Sequence, residues 1–102
     1  MKPSEYSIRF LRLAEEDLTE IVMFIAAERP AAAEKLASKI ERQVLLLGNN
    51  PFLGRIPDEE ELARHGYRFL VVENYLIFYT IEKKASFIHR ILHGARNYQG
   101  LL

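Results

Sequence analysis

The sequence predicts one α+β domain, in which a helical hairpin near the N-terminus packs on one face of an antiparallel β-sheet. Two segments with apolar residues at three- and four-residue spacing flank a proline, which indicates two helices joined by a short hinge. Three short runs rich in β-branched and aromatic residues follow, and such runs are typical of strands. With 102 residues, the chain is long enough for a single domain with one modest core, so residues 1–102 are assigned to one unit.

The first strand and the first helix are predicted from two different periodicities. Residues Glu5–Leu11 alternate between apolar and polar side chains, which indicates a half-buried strand. Residues Leu13–Glu28 show helical spacing, and carboxylates in the first turn, Asp17 among them, favour the positive end of the helix dipole. The apolar stripe of this helix consists of Leu18, Ile21, Val22 and Ile25.

Pro30 ends the first helix and suits the first position of the second. The second helix is expected to run to Leu47, with Gly48 as a left-handed cap after its last turn. Because the hinge has only two or three residues, the two helices must pack antiparallel. The apolar stripe of the second helix consists of Ala33, Leu36, Ala37, Ile40, Val44 and Leu47.

The second half of the chain reads as a loop followed by an antiparallel meander. The loop Asn49–Gly66 contains an acidic run, Asp58–Glu61, that is interpreted as a solvated turn or the start of a short helix. The strand Tyr75–Glu82 is the most apolar of the three and is expected to be central. Residues Ala95–Leu102 are expected to form a short helix or an extended tail. The strands are Tyr67–Glu73, Tyr75–Glu82 and Ser86–His93, so the element order is β-α-α-β-β-β.

Composition excludes several classes of protein. The chain has no cysteine, which rules out a disulfide framework and thiolate metal sites and fits the cytoplasm. It has no signal-type segment at Met1–Glu5, no glycine-rich phosphate loop and no apolar run of the ~20 residues that a bilayer requires, so no membrane partner is expected. His89 and His93 would lie about 13 Å apart on a strand, too far to share one ion. Neither a metal nor a cofactor is therefore expected.

Basic side chains concentrate near the C-terminus, although the net charge is zero. Up to Leu62 the chain has 12 acidic and 8 basic residues, and from Ala63 it has 2 acidic and 6 basic residues. Arginines can hold phosphates and a histidine or tyrosine can move a proton, a set suited to RNA cleavage. The alternative is that the arginines form surface ion pairs and the histidines bond to the backbone. The candidate residues are Arg68, Arg90, His93, Arg96 and Tyr98, with Arg55, Arg64 and His65 as further candidates.

Several stretches carry a resemblance to a known family. They are Asn50–Arg55 (NPFLGR), Tyr67–Arg68, Tyr75–Tyr79 (YLIFY) and Ile91–Tyr98 (ILHGARNY). In these stretches and in its element order, nearly the whole chain resembles the ParE/RelE superfamily of toxins from bacterial type II toxin–antitoxin systems.

The resemblance favours the ParE-like branch, whose members inhibit DNA gyrase and have no catalytic site. RelE-like members are endoribonucleases that cut mRNA in the ribosome, and they usually carry an arginine where this chain has Leu76. The segment Asn49–Gly66 also lacks the lysine-rich loop of some RelE-like toxins. By this resemblance, the residues that face gyrase would be Arg68, Arg90, His93, Arg96 and Tyr98.

The RelE-like alternative assigns different roles to the same residues. Arg90 and Arg96 would bind phosphate, and His93 or Tyr98 would act as acid or base while the toxin works on the ribosome and its mRNA. A third alternative is a family member that has lost toxicity and persists as an interaction module.

Either branch implies a cognate antitoxin, ParD-like or RelB-like, that forms a hetero-oligomer with the toxin. Both predicted helices are apolar over a wide arc, which is consistent with a partner surface. The alternative is that these side chains complete a small core. The residues expected to bind the antitoxin are Met23, Phe24, Leu45 and Leu46.

Overall fold

A computed structural model describes residues 5–95 and 98–102, and it has the predicted order of helices and strands. The acidic run leads into a short helix, as one of the two interpretations expected. The elements are β1 (Ser7–Phe10), α1 (Arg12–Ala26), α2 (Pro30–Leu45), α3 (Glu60–Arg64), β2 (Arg68–Val72), β3 (Tyr75–Glu82) and β4 (Ala85–His93), with 3₁₀ turns at Leu46–Gly48 and Gln99–Leu101.

The four strands form one mixed sheet in the order β1-β4-β3-β2. Strands β2, β3 and β4 make the predicted antiparallel meander, and β3 is an inner strand as expected. Strand β1 differs from the antiparallel prediction because it pairs parallel with β4. Three helices and two strands separate β1 from β4, so no tight turn forces the two to run in opposite directions.

The main core lies between the helical hairpin and the sheet. The predicted stripe of the second helix is buried except for Ala37, which is partly exposed, and α1 contributes Ala14 together with partly buried residues of its own stripe. Gly48 lies within a 3₁₀ turn and is buried, so the predicted left-handed cap at this residue is wrong. The buried core residues are Ala14, Leu36, Ile40, Val44, Leu47, Leu70, Val72, Ile77, Tyr79, Ile88 and Ile91.

The face of the sheet opposite the helices is covered as well. Phe78 is fully buried there, with the ring of Phe69 at 5.8 Å and the ring of Tyr98 at 4.9 Å from its own ring. A second apolar cluster, under the C-terminal segment, therefore accompanies the main core. The uneven pattern of apolar residues in β3 and β4 reflects burial on both faces.

A β-bulge in β4 interrupts its alternation. Phe78 of β3 pairs with Arg90 and the next residue, Tyr79, pairs with Ile88, so His89 is the extra residue. The bulge lets Ile88 and Ile91 both join the core beneath the helices although they are three residues apart. None of the helices in the described ranges is long and apolar enough to cross a bilayer.

Candidate functional site

Arg90 is held inside the protein by Asp17 of α1. The carboxylate of Asp17 accepts hydrogen bonds from Nε and Nη2 of Arg90 at 2.7 and 2.9 Å, and from the amide of Ile91 at 2.9 Å. Nη1 of Arg90 donates to the carbonyl oxygen of Leu101 at 3.2 Å. The side chains of Arg90 and Asp17 are only 14% and 10% exposed, and their hydrogen bond raises the pKa of Arg90. Arg90 therefore ties α1, β4 and the C-terminal segment together.

The position of Asp17 explains this pairing. Strand β1 ends at Phe10, so it covers only the first half of β4, and the amide of Ile91 lies beyond it. Asp17 supplies the missing acceptor. From the sequence, Asp17 was predicted only to interact with the dipole of the first helix. Its position three residues after Ala14 and four before Ile21 places it on the buried stripe, and that spacing was the available signal.

Arg68 holds the segment Pro51–Pro57, which we call the docking loop. Nη1 of Arg68 donates to the carbonyl oxygens of Phe52 at 3.2 Å and Gly54 at 2.9 Å, and its guanidinium lies 5.1 Å from the centre of the Phe52 ring. Arg68 is thus half-buried and engaged with the backbone of this loop.

Tyr79 fixes the same loop from beneath and was not among the predicted site residues. Its buried hydroxyl donates to the carbonyl oxygen of Pro51 at 2.7 Å and accepts from the amide of Gly54 at 2.9 Å. Burial raises the pKa of Tyr79 against the opposing effects of Gly54 and Arg68. An aromatic residue in a central strand gives no sequence signal for such a role, because the two partners lie 25 and 28 residues away.

Tyr98 packs on Phe78 and donates its hydroxyl hydrogen to the carboxylate of Glu59, whose Oε2 lies 3.2 Å away. This hydrogen bond, together with burial and the negative charges of Glu59 and Asp58, raises the pKa of Tyr98 to about 12. The phenol therefore remains protonated near neutral pH, where it can donate a proton or hydrogen bond but is a poor general base.

The other predicted residues lie in separate places. His93 is exposed at the end of β4, where Nδ1 accepts from the amide of Ala95 at 3.1 Å and the ring meets Tyr75 edge-on at 5.4 Å. Arg96 lies outside the described residues. Arg55 is an exposed residue of the docking loop, and Arg64 and His65 are exposed at the end of α3. Arg90 and Tyr98 share the neighbour Phe78, which pairs with Arg90 across the sheet and packs on the Tyr98 ring, whereas Arg68 and His93 contact other residues.

A cleft of about 790 Å³ opens between α3 and strands β3 and β4. His89 lines it, with Nε2 bonded to Oγ1 of Thr80 at 2.9 Å and its ring meeting Tyr67 edge-on at 5.1 Å. Burial lowers the pKa of His89, while the charge of Glu82 opposes that shift. Among the described residues that line it there are four glutamates and two histidines, His65 and His89, but neither arginine nor lysine. The glutamates are Glu59, Glu60, Glu61 and Glu82.

The cleft and its surroundings offer no preformed metal site within residues 5–95 and 98–102. No group of three or more histidine, aspartate or glutamate side chains there is arranged to hold an ion. Four glutamates and two histidines thus give the described lining a mainly acidic character without a metal site.

The predicted antitoxin-binding residues are all exposed. Met23 and Phe24 are 68% and 83% exposed in the second half of α1, and Leu45 and Leu46 are 67% and 47% exposed at the end of α2. They therefore do not complete the core, which removes the alternative considered for them. Their role in binding stays a prediction.

Comparison with known proteins gives the family. The family model described as the ParE toxin of the type II toxin–antitoxin system parDE matches residues 8–98. This chain belongs to the ParE toxin family. The toxin is also similar to a chain of the chromosomal ParDE toxin–antitoxin system from P. aeruginosa, with 25% identity and a TM-score of 0.73 over 88% of this chain and 97% of that one.

A second solved structure similar to the toxin is that of the RelBE2 toxin–antitoxin complex from Mycobacterium tuberculosis. The two chains are 25% identical, with a TM-score of 0.63 over 93% of the toxin and 98% of the other chain. No curated protein matches the sequence significantly. The predicted membership of the ParE/RelE superfamily is confirmed, and so is its α+β fold.

Proposed function

We propose that this toxin inhibits DNA gyrase in the cytoplasm, as a ParE-like binding protein without a catalytic site, and that a cognate antitoxin neutralises it. The observation that carries the proposal is the charge of the cleft on the sheet. An enzyme that cleaves RNA must hold phosphates, and it does so with arginines and lysines. The four glutamates that line this cleft repel phosphates instead.

Two of the arginines that an RNA-cleaving site could use, Arg90 and Arg68, are engaged elsewhere. Both donor edges of Arg90 are occupied by Asp17 and by the carbonyl oxygen of Leu101, and Arg68 donates to two carbonyl oxygens of the docking loop. Leu76, which stands where RelE-like relatives usually have arginine, pairs with Leu92 and Val71 in the sheet. These contacts weaken the RNA-cleavage alternative, and the engagement of Arg90 and Arg68 also removes both from the residues proposed to face gyrase.

The target-facing set is therefore smaller than the one first expected. Arg90 and Arg68 are assigned structural roles, and His93 and Arg96 are left as the residues proposed to face gyrase. His93 is exposed at the end of β4 and Arg96 follows three residues later in the chain. Tyr98 supports the same region by anchoring the C-terminal segment to Phe78 and Glu59.

Two assays on one preparation test the proposal. Purified toxin is expected to block supercoiling by gyrase or to accumulate cleaved DNA, and Arg96→Ala is expected to weaken that effect. Arg12→Ala serves as the matched control, because Arg12 has an 86% exposed side chain at the start of α1. Unchanged supercoiling at saturating toxin, together with A-site cleavage of translated mRNA in a toeprinting assay, would establish the RelE-like alternative. Normal growth of cells that express the toxin without its antitoxin would indicate a member that has lost toxicity.

A further inference from the structure

The docking loop is rigid in its backbone and apolar on its outside. Its carbonyl and amide groups are fixed by the hydroxyl of Tyr79 and the guanidinium of Arg68, and Arg55 exchanges two backbone hydrogen bonds of 2.9 Å with Phe69. Gly54 packs so closely that a Cβ atom there would lie 2.7 Å from the Tyr79 ring. These contacts restrict the backbone conformation of the loop.

Within that fixed backbone, the apolar side chains point outward. Phe52 is 63% exposed, Leu53 48% and Ile56 57%. Three large apolar side chains within five residues, each about half or more exposed, form more apolar surface than a connection between α2 and α3 requires. A preorganised apolar surface lowers the entropic cost of binding a protein partner.

The charge next to this surface indicates the chemistry of the partner. Arg55 is exposed, and neither Arg55 nor Arg68 has a carboxylate within 4.0 Å among the described residues, where the ion pairs involve Arg12, Lys39 and Arg90. Arg68 is already held by the carbonyl oxygens of the loop, so the exposed Arg55 is the cation that a partner can reach. A guanidinium at the rim of an apolar surface is complementary to a segment that carries apolar side chains beside aspartate or glutamate.

We propose that the docking loop binds an apolar, acidic segment of the cognate antitoxin, as a second contact separate from the hairpin surface of Met23 and Phe24. This inference rests on the proposed neutralisation by an antitoxin. A permanent complex accounts best for so much exposed apolar surface, since the interfaces of permanent complexes are more apolar than those of transient ones. A symmetric contact with a second toxin molecule through this loop would place both Arg55 side chains in one interface, and residues 51–57 offer no carboxylate to pair with them.

The test measures the affinity of purified full-length toxin variants for the purified cognate antitoxin. Phe52→Ser combined with Leu53→Ser is expected to weaken binding by at least about tenfold, and Arg55→Glu by a similar factor that shrinks as salt is added. Leu13→Ser and Arg12→Glu are the matched controls. Leu13 and Leu53 are equally exposed, at 48%, and Leu13 lies at the start of α1.

Three outcomes overturn the inference. The loop variants could bind the antitoxin as tightly as wild-type toxin while retaining its circular dichroism spectrum. They could lose gyrase inhibition while antitoxin binding is unchanged, which would make the loop a target surface. They could also change only the self-association of the toxin in light scattering. If the wild-type toxin itself fails to bind the antitoxin, the proposed neutralisation fails, and the docking loop loses its partner with it.

Discussion

Replacing Asp17 with alanine is expected to destabilise the toxin more than any surface substitution. The change removes the acceptor of three hydrogen bonds and leaves the charge of Arg90 in a site where its side chain is 14% exposed. It also leaves the amide of Ile91 without an acceptor. Breaking a buried ion pair from one side costs about 3–5 kcal/mol, because the surviving charge has no partner.

This loss of stability is large compared with the free energy of unfolding expected for the whole domain. A domain of this size unfolds with roughly 5–15 kcal/mol, so Asp17→Ala should remove at least about a fifth of the free energy of unfolding and lower Tm by at least roughly 12 °C. Changing Arg90 to methionine as well as Asp17 to leucine should restore part of the loss, since the buried charge is gone. The restoration should be incomplete because the amide of Ile91 still lacks an acceptor.

Urea denaturation followed by circular dichroism measures these free energies, and a double-mutant cycle on Asp17 and Arg90 gives the coupling between them. The control is the ion pair of Lys39 and Glu73, whose side chains are 50% and 49% exposed and whose loss should cost under about 1 kcal/mol. If Asp17→Ala changes stability no more than Lys39→Ala does, the interior role assigned to Arg90 is wrong.

Two further predictions concern the docking loop and the C-terminal segment. Gly54→Ala should lower the free energy of unfolding by about 1–3 kcal/mol, because its Cβ atom would lie 2.9 Å from the carbonyl oxygen of Phe69. Gly100→Ala is the control and should leave stability unchanged, since no described atom would lie within 4 Å of its Cβ atom. Thermal unfolding measures both. The phenol of Tyr98 should ionise near pH 12 in an ultraviolet titration, and Glu59→Gln should move that step down. Because folding raises the pKa of Tyr98, its contribution to stability should be intact below pH 10 and disappear between pH 10 and about 12. Ionisation of Tyr98 near pH 10, the value of a free tyrosine, would refute the contact with Glu59.

Much of the fold could be predicted because it depends on local patterns. The stripe of α2, the break at Pro30 and the meander of β2 to β4 follow from side-chain spacing and from turn residues within a few positions. The parallel pairing of β1 could not be predicted in this way. This pairing joins the first strand of the chain to the last, so it depends on which edge of the β2–β4 meander is left free for β1.

The candidate site shows the same division. Motifs in the sequence identified the family, and the spacing of apolar residues placed Phe24 and Leu45 beside the main stripes, where a partner surface and the core were both open; the structure shows that they are exposed. Neither motif nor spacing could show that Arg90 points into the protein, because its partner Asp17 lies 73 positions away. The role of Tyr79 beneath the docking loop was hidden for the same reason.

The sequence by itself determined the helices and strands of this toxin, their order and the family to which it belongs, because those properties depend on patterns among residues that are close together in the chain. Only the tertiary structure decided which basic side chains form internal ion pairs, where carboxylates cluster and which apolar side chains remain exposed to solvent. The energy of a charged or apolar group depends on what surrounds it after folding, and most of those surroundings come from distant parts of the chain.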